Sequence, residues 1–146
     1  MSRKTRLELV RRITQDRVAQ AQRVAALANA ALRDSESQLK QLLGYREEYR
    51  KRFMVTGESG MSAQSMREFQ SFLARIDQAI GMQQDVVHGK AVDLERHSEL
   101  WTEIRKHEKS LPRLLQQRAT AEMYREDRLE QKLSDDSACT RRGKYR

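Results

Sequence analysis

Three histidines, His88, His97 and His107, stand nine and ten residues apart, with no cysteine or carboxylate beside them in a zinc-ligand arrangement. The acidic pairs Glu47-Glu48 and Asp135-Asp136 have neighbours of a solvated helix face and a polar tail, not of an acid–base site. No GxxxxGK[ST] or GxGxxG phosphate-binding loop is present. The single cysteine, Cys139, has no internal disulfide partner and reads as a tolerated residue of the tail. These residues point to no enzyme and no cofactor. The spacing that does carry meaning is one of contact. Gln38, Leu42, Tyr45 and Tyr49 are spaced 0, 4, 7 and 11, and Phe72, Ile76, Ala79 and Gln83 repeat that spacing. Two such aromatic-aliphatic stripes make either a locally wide helical core or a groove for a partner segment, and tyrosine, apolar in body and polar at its tip, suits the second.

The elements that position these stripes are two long helices. From Met66 every seventh residue is apolar through Leu73, Ile80, Val87, Leu94 and Trp101, and a second series runs Phe69, Ile76, Gln83, Lys90, His97 and Ile104. A sustained 3-4 repeat is a seam against another helix. Gln83, Lys90 and His97 are polar seam residues of the kind that fix register, and Trp101 is a core residue. The matching series upstream is Val18, Ala21, Ala25, Ala28, Leu32, Ser35, Leu39, Leu42, Arg46, Tyr49 and Phe53, broadened by Val10, Ile13, Val24, Leu27 and Ala31. The alanines between 19 and 31 favour helix and permit close approach of the axes.

The expected organisation is all-α: an antiparallel coiled-coil hairpin over 1–133, with helix 1 over about 3–53, a turn at 54–62 and helix 2 over about 63–133. Gly57 and Gly60 suit the reversal, and Ser65 with Glu68 reads as a capping box, Ser62 being the alternative cap. Pro112 predicts a kink or short break, with Ser110 able to cap a restarted helix. The tail 134–146 lacks periodicity and is expected to be disordered. With a turn near residue 58, facing residues have numbers totalling about 117, which sets 38 beside 79, 42 beside 76 and 45 beside 72.

Composition agrees with such an architecture. Hydrophobic residues are 38% and charged residues 34% of the sequence, the first below the roughly 45–50% of globular domains. No apolar run of transmembrane length exists, and the N-terminal MSRKTRLELV has no apolar signal segment, so a cytoplasmic location is expected. The net charge of +8 is uneven. Residues 1–12 hold five basic and one acidic residue, and 113–146 hold nine and six. An antiparallel hairpin brings these two basic segments together. Without a continuous basic stripe between them, a nucleic-acid-binding coiled coil is the weaker reading.

The segments QLKQLLGYREEYRKRF (38–53), FQSFLARIDQAI (69–80) and RATAEMYREDRLEQKL (118–133), with the two-glycine gap between the first two, resemble the FliJ family of flagellar type III export proteins. The match rests on Gln38-Leu39-Lys40, Leu42, Tyr45, Glu48-Tyr49-Arg50, Phe72, Ala79-Ile80 and Asp127-Arg128 to Gln131-Lys132. The resemblance implies a non-enzymatic stalk, similar to the γ-subunit coiled coil of rotary ATPases. It implies that the terminal helices insert into the export ATPase hexamer and promote its assembly and activity, through Arg3, Lys4, Arg6, Arg11, Arg12, Arg118, Arg125, Arg128 and Lys132. It also implies contact with the cytoplasmic linker of the export gate through Gln38, Leu42, Tyr45, Tyr49, Phe72, Ile76, Ala79 and Gln83, the last in a slot where relatives can have histidine. Escort of export chaperones, no small-molecule substrate, association with the membrane only through the export apparatus, and a monomer when isolated complete the expectation. An injectisome stalk of the same architecture, or a purely structural coiled coil, is the alternative.

Overall fold

Helix α1 spans Arg3–Glu58 and α2 spans Ala63–Lys144 in the computed structural model, which describes residues 2–144. The two helices pack as an antiparallel coiled-coil hairpin, with no strand among the described residues. The chain divides into two compact units, one of Met1–Val18 with Glu103–Arg146, the other of Ala19–Thr102.

Local chemistry sets the helix ends. Ser2 caps α1: its Oγ accepts from the Thr5 N–H at 3.3 Å, and its carbonyl accepts from the N–H groups of Thr5 and Arg6. Helix α1 runs five residues past the expected end, through Gly57, and stops where Gly60 takes φ 89°. A positive φ is inexpensive only for glycine, and it ends the helix while the Gly60 N–H donates to the Gly57 carbonyl at 3.3 Å. Of the two candidate caps for α2, Ser62 is used: its Oγ accepts from the Ser65 N–H at 3.1 Å, and its carbonyl from the Met66 N–H.

Two expectations about the later part of α2 are corrected. The helix continues through Pro112, so of the expected kink or short break the break is not found. Proline removes one donor, the one that would have met the Glu108 carbonyl, but the helices on either side hold the fixed φ in the helical range. Ser110 caps no restarted helix, since its hydroxyl donates back to the His107 carbonyl at 2.9 Å. The 3-4 spacing also survives, with part-buried Ile104, Glu108, Leu111 and Leu115 on either side of the proline. The segment expected to be disordered is helical over 134–144, and Tyr145 and Arg146 lie outside the described residues. Its Ser137 and Thr140 hydroxyls bond to carbonyls one turn back, compatible with helix but invisible to a hydrophobic periodicity.

In the Ala19–Thr102 unit every predicted α1 seam position from Ala21 to Phe53 is buried or part-buried, Ala25 and Ser35 being the buried ones. On α2 the seam holds from Phe69 to Trp101, with Ile80 buried. Met66 and Lys90 are exposed instead. Met66 lies in the first turn of α2, where the seam frays, and the ammonium of Lys90 is better hydrated than buried against the alanine-rich stretch of α1. The observed pairs are Gln83 with Ser35 and Gln38, Arg46 with Asp77, Tyr49 with Phe69 and Phe72, and Phe53 with Phe69. Their residue numbers total 118 to 123, so the register is displaced on average by about one helical turn from the expected 117, because the reversal is centred on Gly60 rather than residue 58.

A polar clasp marks this register. Gln83 Nε2 donates to the Ser35 carbonyl at 2.9 Å and to Gln38 Oε1 at 3.2 Å, and Ser35 Oγ donates to the Leu32 carbonyl at 2.7 Å. Ser35 is 4% exposed, so a shifted register would leave an amide unpaired against a closed seam. Gln83→Ala and Gln38→Ala are each expected to destabilise the hairpin, Gln83→Ala by about 1 kcal/mol. Chemical denaturation of the double variant should reveal a coupling of about 0.5 kcal/mol or more; strictly additive losses would reject the clasp.

Candidate functional site

The paired stripes fall within the Ala19–Thr102 unit, and the seam divides them. Leu42, Tyr49, Ile76, Ala79 and Gln83 are part-buried, whereas Gln38, Tyr45 and Phe72 are exposed. Tyr49 and Phe53 belong to an aromatic cluster near the turn. The Tyr49 ring stacks on Phe69 with centroids 5.0 Å apart and tilts 50° against Phe72 at 4.3 Å, and Phe53 stacks on Phe69. Such pairs add about 0.5–1.5 kcal/mol beyond their buried area. Phe72 has one ring face on this cluster and is still 42% exposed, and Tyr45 stands 61% exposed. The Arg46 Nε sits 2.7 Å from Asp77 Oδ1 and spans the two helices at this level.

The stripes are therefore neither a closed wide core nor a free groove throughout. Part-buried seam residues hold a surface from which Tyr45 and Phe72 project, while Gln38 and Gln83 satisfy each other. The sequence grouped all eight by spacing; it could not separate those spent on the seam from those facing water, because the pairing register decides which is which.

The predicted basic residues lie in the other unit. Arg3, Lys4, Arg6, Arg11, Arg12, Arg118, Arg125, Arg128 and Lys132 are all exposed. Arg3 is ion-paired with Glu122, which sets the start of α1 against that part of α2. The Arg128 guanidinium lies over the Tyr124 ring, 5.8 Å from its centroid. The charge partition is complete: this unit holds eighteen basic and ten acidic residues, and the Ala19–Thr102 unit eleven of each, so the whole +8 belongs to the unit built from the two chain ends. Spacing arguments missed a groove of about 960 Å³ in that same unit, floored by Leu7, Leu111, Pro112 and Leu115, with Lys4, Arg11, Lys109, Glu8 and Glu108 also lining it. No periodicity announces it.

Among the described residues no group of His, Cys, Asp and Glu is arranged to hold a metal ion, and no helix is long and apolar enough to cross a membrane.

Truncating Tyr49 and Tyr45 separates the two kinds of stripe residue. Tyr49→Ala should destabilise the hairpin by about 2–3 kcal/mol through lost ring packing, and Tyr45→Ala by no more than about 0.5 kcal/mol, as read from thermal melts followed by circular dichroism. Equal losses would place Tyr45 in the core.

The sequence profile of the family described as "Flagellar FliJ protein" matches residues 3–143. The flagellar FliJ protein of Escherichia coli (strain K12) is 25% identical over 134 residues, covering 90% of each chain. No solved structure matches the chain. With a match that spans both helices nearly end to end, the chain belongs to the flagellar FliJ family and is a flagellar export-related protein.

Proposed function

We propose that this protein is a non-enzymatic stalk of the flagellar export machine, seated in the ring of the export ATPase through its terminal segments, and that it promotes assembly and turnover of that ring. The observation that carries this reading is the charge partition: the unit made of the two chain ends holds the entire excess of +8. An exposed basic helical surface suits a ring interior that presents carboxylates and main-chain carbonyls, and it accelerates encounter with an acidic partner. Arg6, Arg11 and Arg12 on α1 and Arg118, Arg125, Arg128 and Lys132 on α2 are the residues assigned to it.

The exposed part of the paired stripes serves a second contact, with the cytoplasmic linker of the export gate. Tyr45 and Phe72 provide the aromatic anchors, and Leu42, Tyr49, Ile76 and Ala79 support them from the seam. Gln38 and Gln83 reach the gate only if their mutual hydrogen bond opens. Export chaperones are the third class of partner, and membrane association follows only from these contacts.

Deleting residues 1–12, or residues 118–146, is expected to abolish stimulation of the export ATPase in a turnover assay at varied protein ratios, with the remaining hairpin still helical by circular dichroism. Stimulation that survives both deletions would refute the stalk reading. Tyr45→Ala combined with Phe72→Ala is expected to weaken capture of the gate's cytoplasmic domain at least about tenfold, the loss of two interface anchors of about 1 kcal/mol each. Undiminished capture by a fully helical double variant would remove the stripes from the gate contact.

A further inference from the structure

Helix α2 is longer than its partner. α1 has 56 residues and α2 has 82. In the unit formed by the chain ends, Arg3 at the start of α1 is ion-paired with Glu122, and every described side chain from Thr120 to Gly143 is exposed. Past that point α2 has no α1 beside it. An unsupported helix of this length is marginal in water, because its backbone order is not backed by burial of an apolar face.

This bare stretch is amphipathic in a specific way. Leu129 and Leu133 sit one turn apart, 62% and 67% exposed. Each follows by eighteen residues a leucine that helps floor the groove, Leu111 and Leu115 respectively, and five turns of 3.6 residues return the same helix face. Around the two exposed leucines, residues 126–136 hold five acidic residues, Glu126, Asp127, Glu130, Asp135 and Asp136, against two basic ones, Arg128 and Lys132. The groove combines an apolar floor with Lys4, Arg11 and Lys109, and has only Glu8 and Glu108 as acidic lining. The chain thus contains a cationic apolar groove and an unpartnered acidic apolar helix of complementary character. The two cannot meet within one molecule, since they lie about 27 Å apart on one continuous helix.

We propose that a second copy of this chain fills the groove: two α2 helices lie antiparallel about a two-fold axis near Glu122, and each copy's Leu129–Leu133 stretch docks in the other's groove. A reciprocal contact of this kind closes on itself. Its register follows from the leucines. When Leu129 of one copy stands across from Leu115 of the other, Leu133 stands across from Leu111. The same register sets Arg118 opposite Glu126 and Lys109 opposite Asp135, each pair occurring twice. The two Glu122 carboxylates meet at the axis, each ion-paired with its own Arg3. Glu108 opposes Asp136, in the groove that Lys4 also lines. The contact is small and partly charged, so the dimer is a weak one that dissociates on dilution and in high salt. It covers Arg118, Arg125 and Arg128, so the dimer is a form in which the basic stalk end is masked from an acidic partner. This does not depend on the export ATPase being that partner.

Sedimentation equilibrium of the full chain, from about 5 µM to about 500 µM, tests the proposal over the range expected of a weak interface. The weight-average mass should rise from 17.1 kDa towards twice that value. Leu129→Glu with Leu133→Glu should keep the mass at the monomer value. Arg118→Glu should weaken association at least about tenfold, since each substitution turns two symmetry-related attractive pairs into repulsive ones. Glu126→Arg should do the same, and the two reversals combined should restore association to near the original strength. Circular dichroism of each variant guards against loss of helix, and the restored double variant is informative even where a single one frays. A chain monomeric at every concentration overturns the proposal and leaves the groove to a segment of another protein. Association that survives the leucine substitutions, or reversals that fail to compensate, overturns this register and interface.

Discussion

A hairpin of two helices can bury only one stripe per helix, so the pairing register decides what every other side chain faces. In this protein a few contacts across the seam set that register: the amide of Gln83 on the Ser35 carbonyl and Gln38, the ion pair of Arg46 and Asp77, and the stacked rings of Tyr49, Phe53 and Phe69. The apolar seam alone would partly tolerate sliding by a heptad, because Leu39 would take the place of Leu32 and Ala28 that of Ala21, although Leu42 would replace Ser35. The amide would not, since its acceptor belongs to a residue closed off from water. The polar interruptions of the seam thus fix specificity while the aliphatic positions provide the burial. Gly60 supplies the matching condition at the turn, holding a backbone angle that a side chain would resist.

The burial pattern was legible from the residues because it depends on a period, and a period needs no knowledge of the partner. The α1 series from Val18 to Phe53 and most of the α2 series occupy the seam as spaced. What depends on chain geometry was less legible. Helix propensity around Met54-Val55-Thr56 is modest and Met54 and Val55 are 64% and 71% exposed, yet α1 continues through them to Glu58, ending only where Gly60 takes a positive φ. With the reversal moved to Gly60, the facing register is displaced by about a turn on average. Pro112 shows the same asymmetry: local preference argues for a break, and continuous packing on both sides overrides it. Beyond residue 133 the helix continues with no buried apolar stripe, its Ser137 and Thr140 hydroxyls turned back to carbonyls one turn earlier, so the hydrophobic repeat by which helices are read gives no sign of it.

The division of the paired stripes between seam and surface was not legible in the sequence. Spacing alone grouped Gln38, Leu42, Tyr45 and Tyr49 with Phe72, Ile76, Ala79 and Gln83, and nothing in a spacing distinguishes a residue that holds the surface from one that presents it. The displaced register assigns Tyr49 and Gln83 to holding and leaves Tyr45 and Phe72 presented. The charge excess, by contrast, was legible as a sum over the two termini, and the fold sharpened it into a full separation, with one unit electrically balanced and the other holding all +8.

That separation has a consequence for how the unit of the chain ends must be stabilised. Concentrated like charge raises the free energy of a compact state, and this unit has few closed seam positions to offset it: Thr14, Val18, Ile104, Leu111, Leu115 and Ala119 are only part-buried. Arg3 with Glu122 removes one repulsive term, and the Arg128 guanidinium over Tyr124 spreads another onto a ring face. The remaining charge is best relieved from outside the hairpin, by an acidic surface. A helical end that is marginal alone becomes firm once an acidic surface opposes it, because the energy that orders it is supplied by the partner and withdrawn with it.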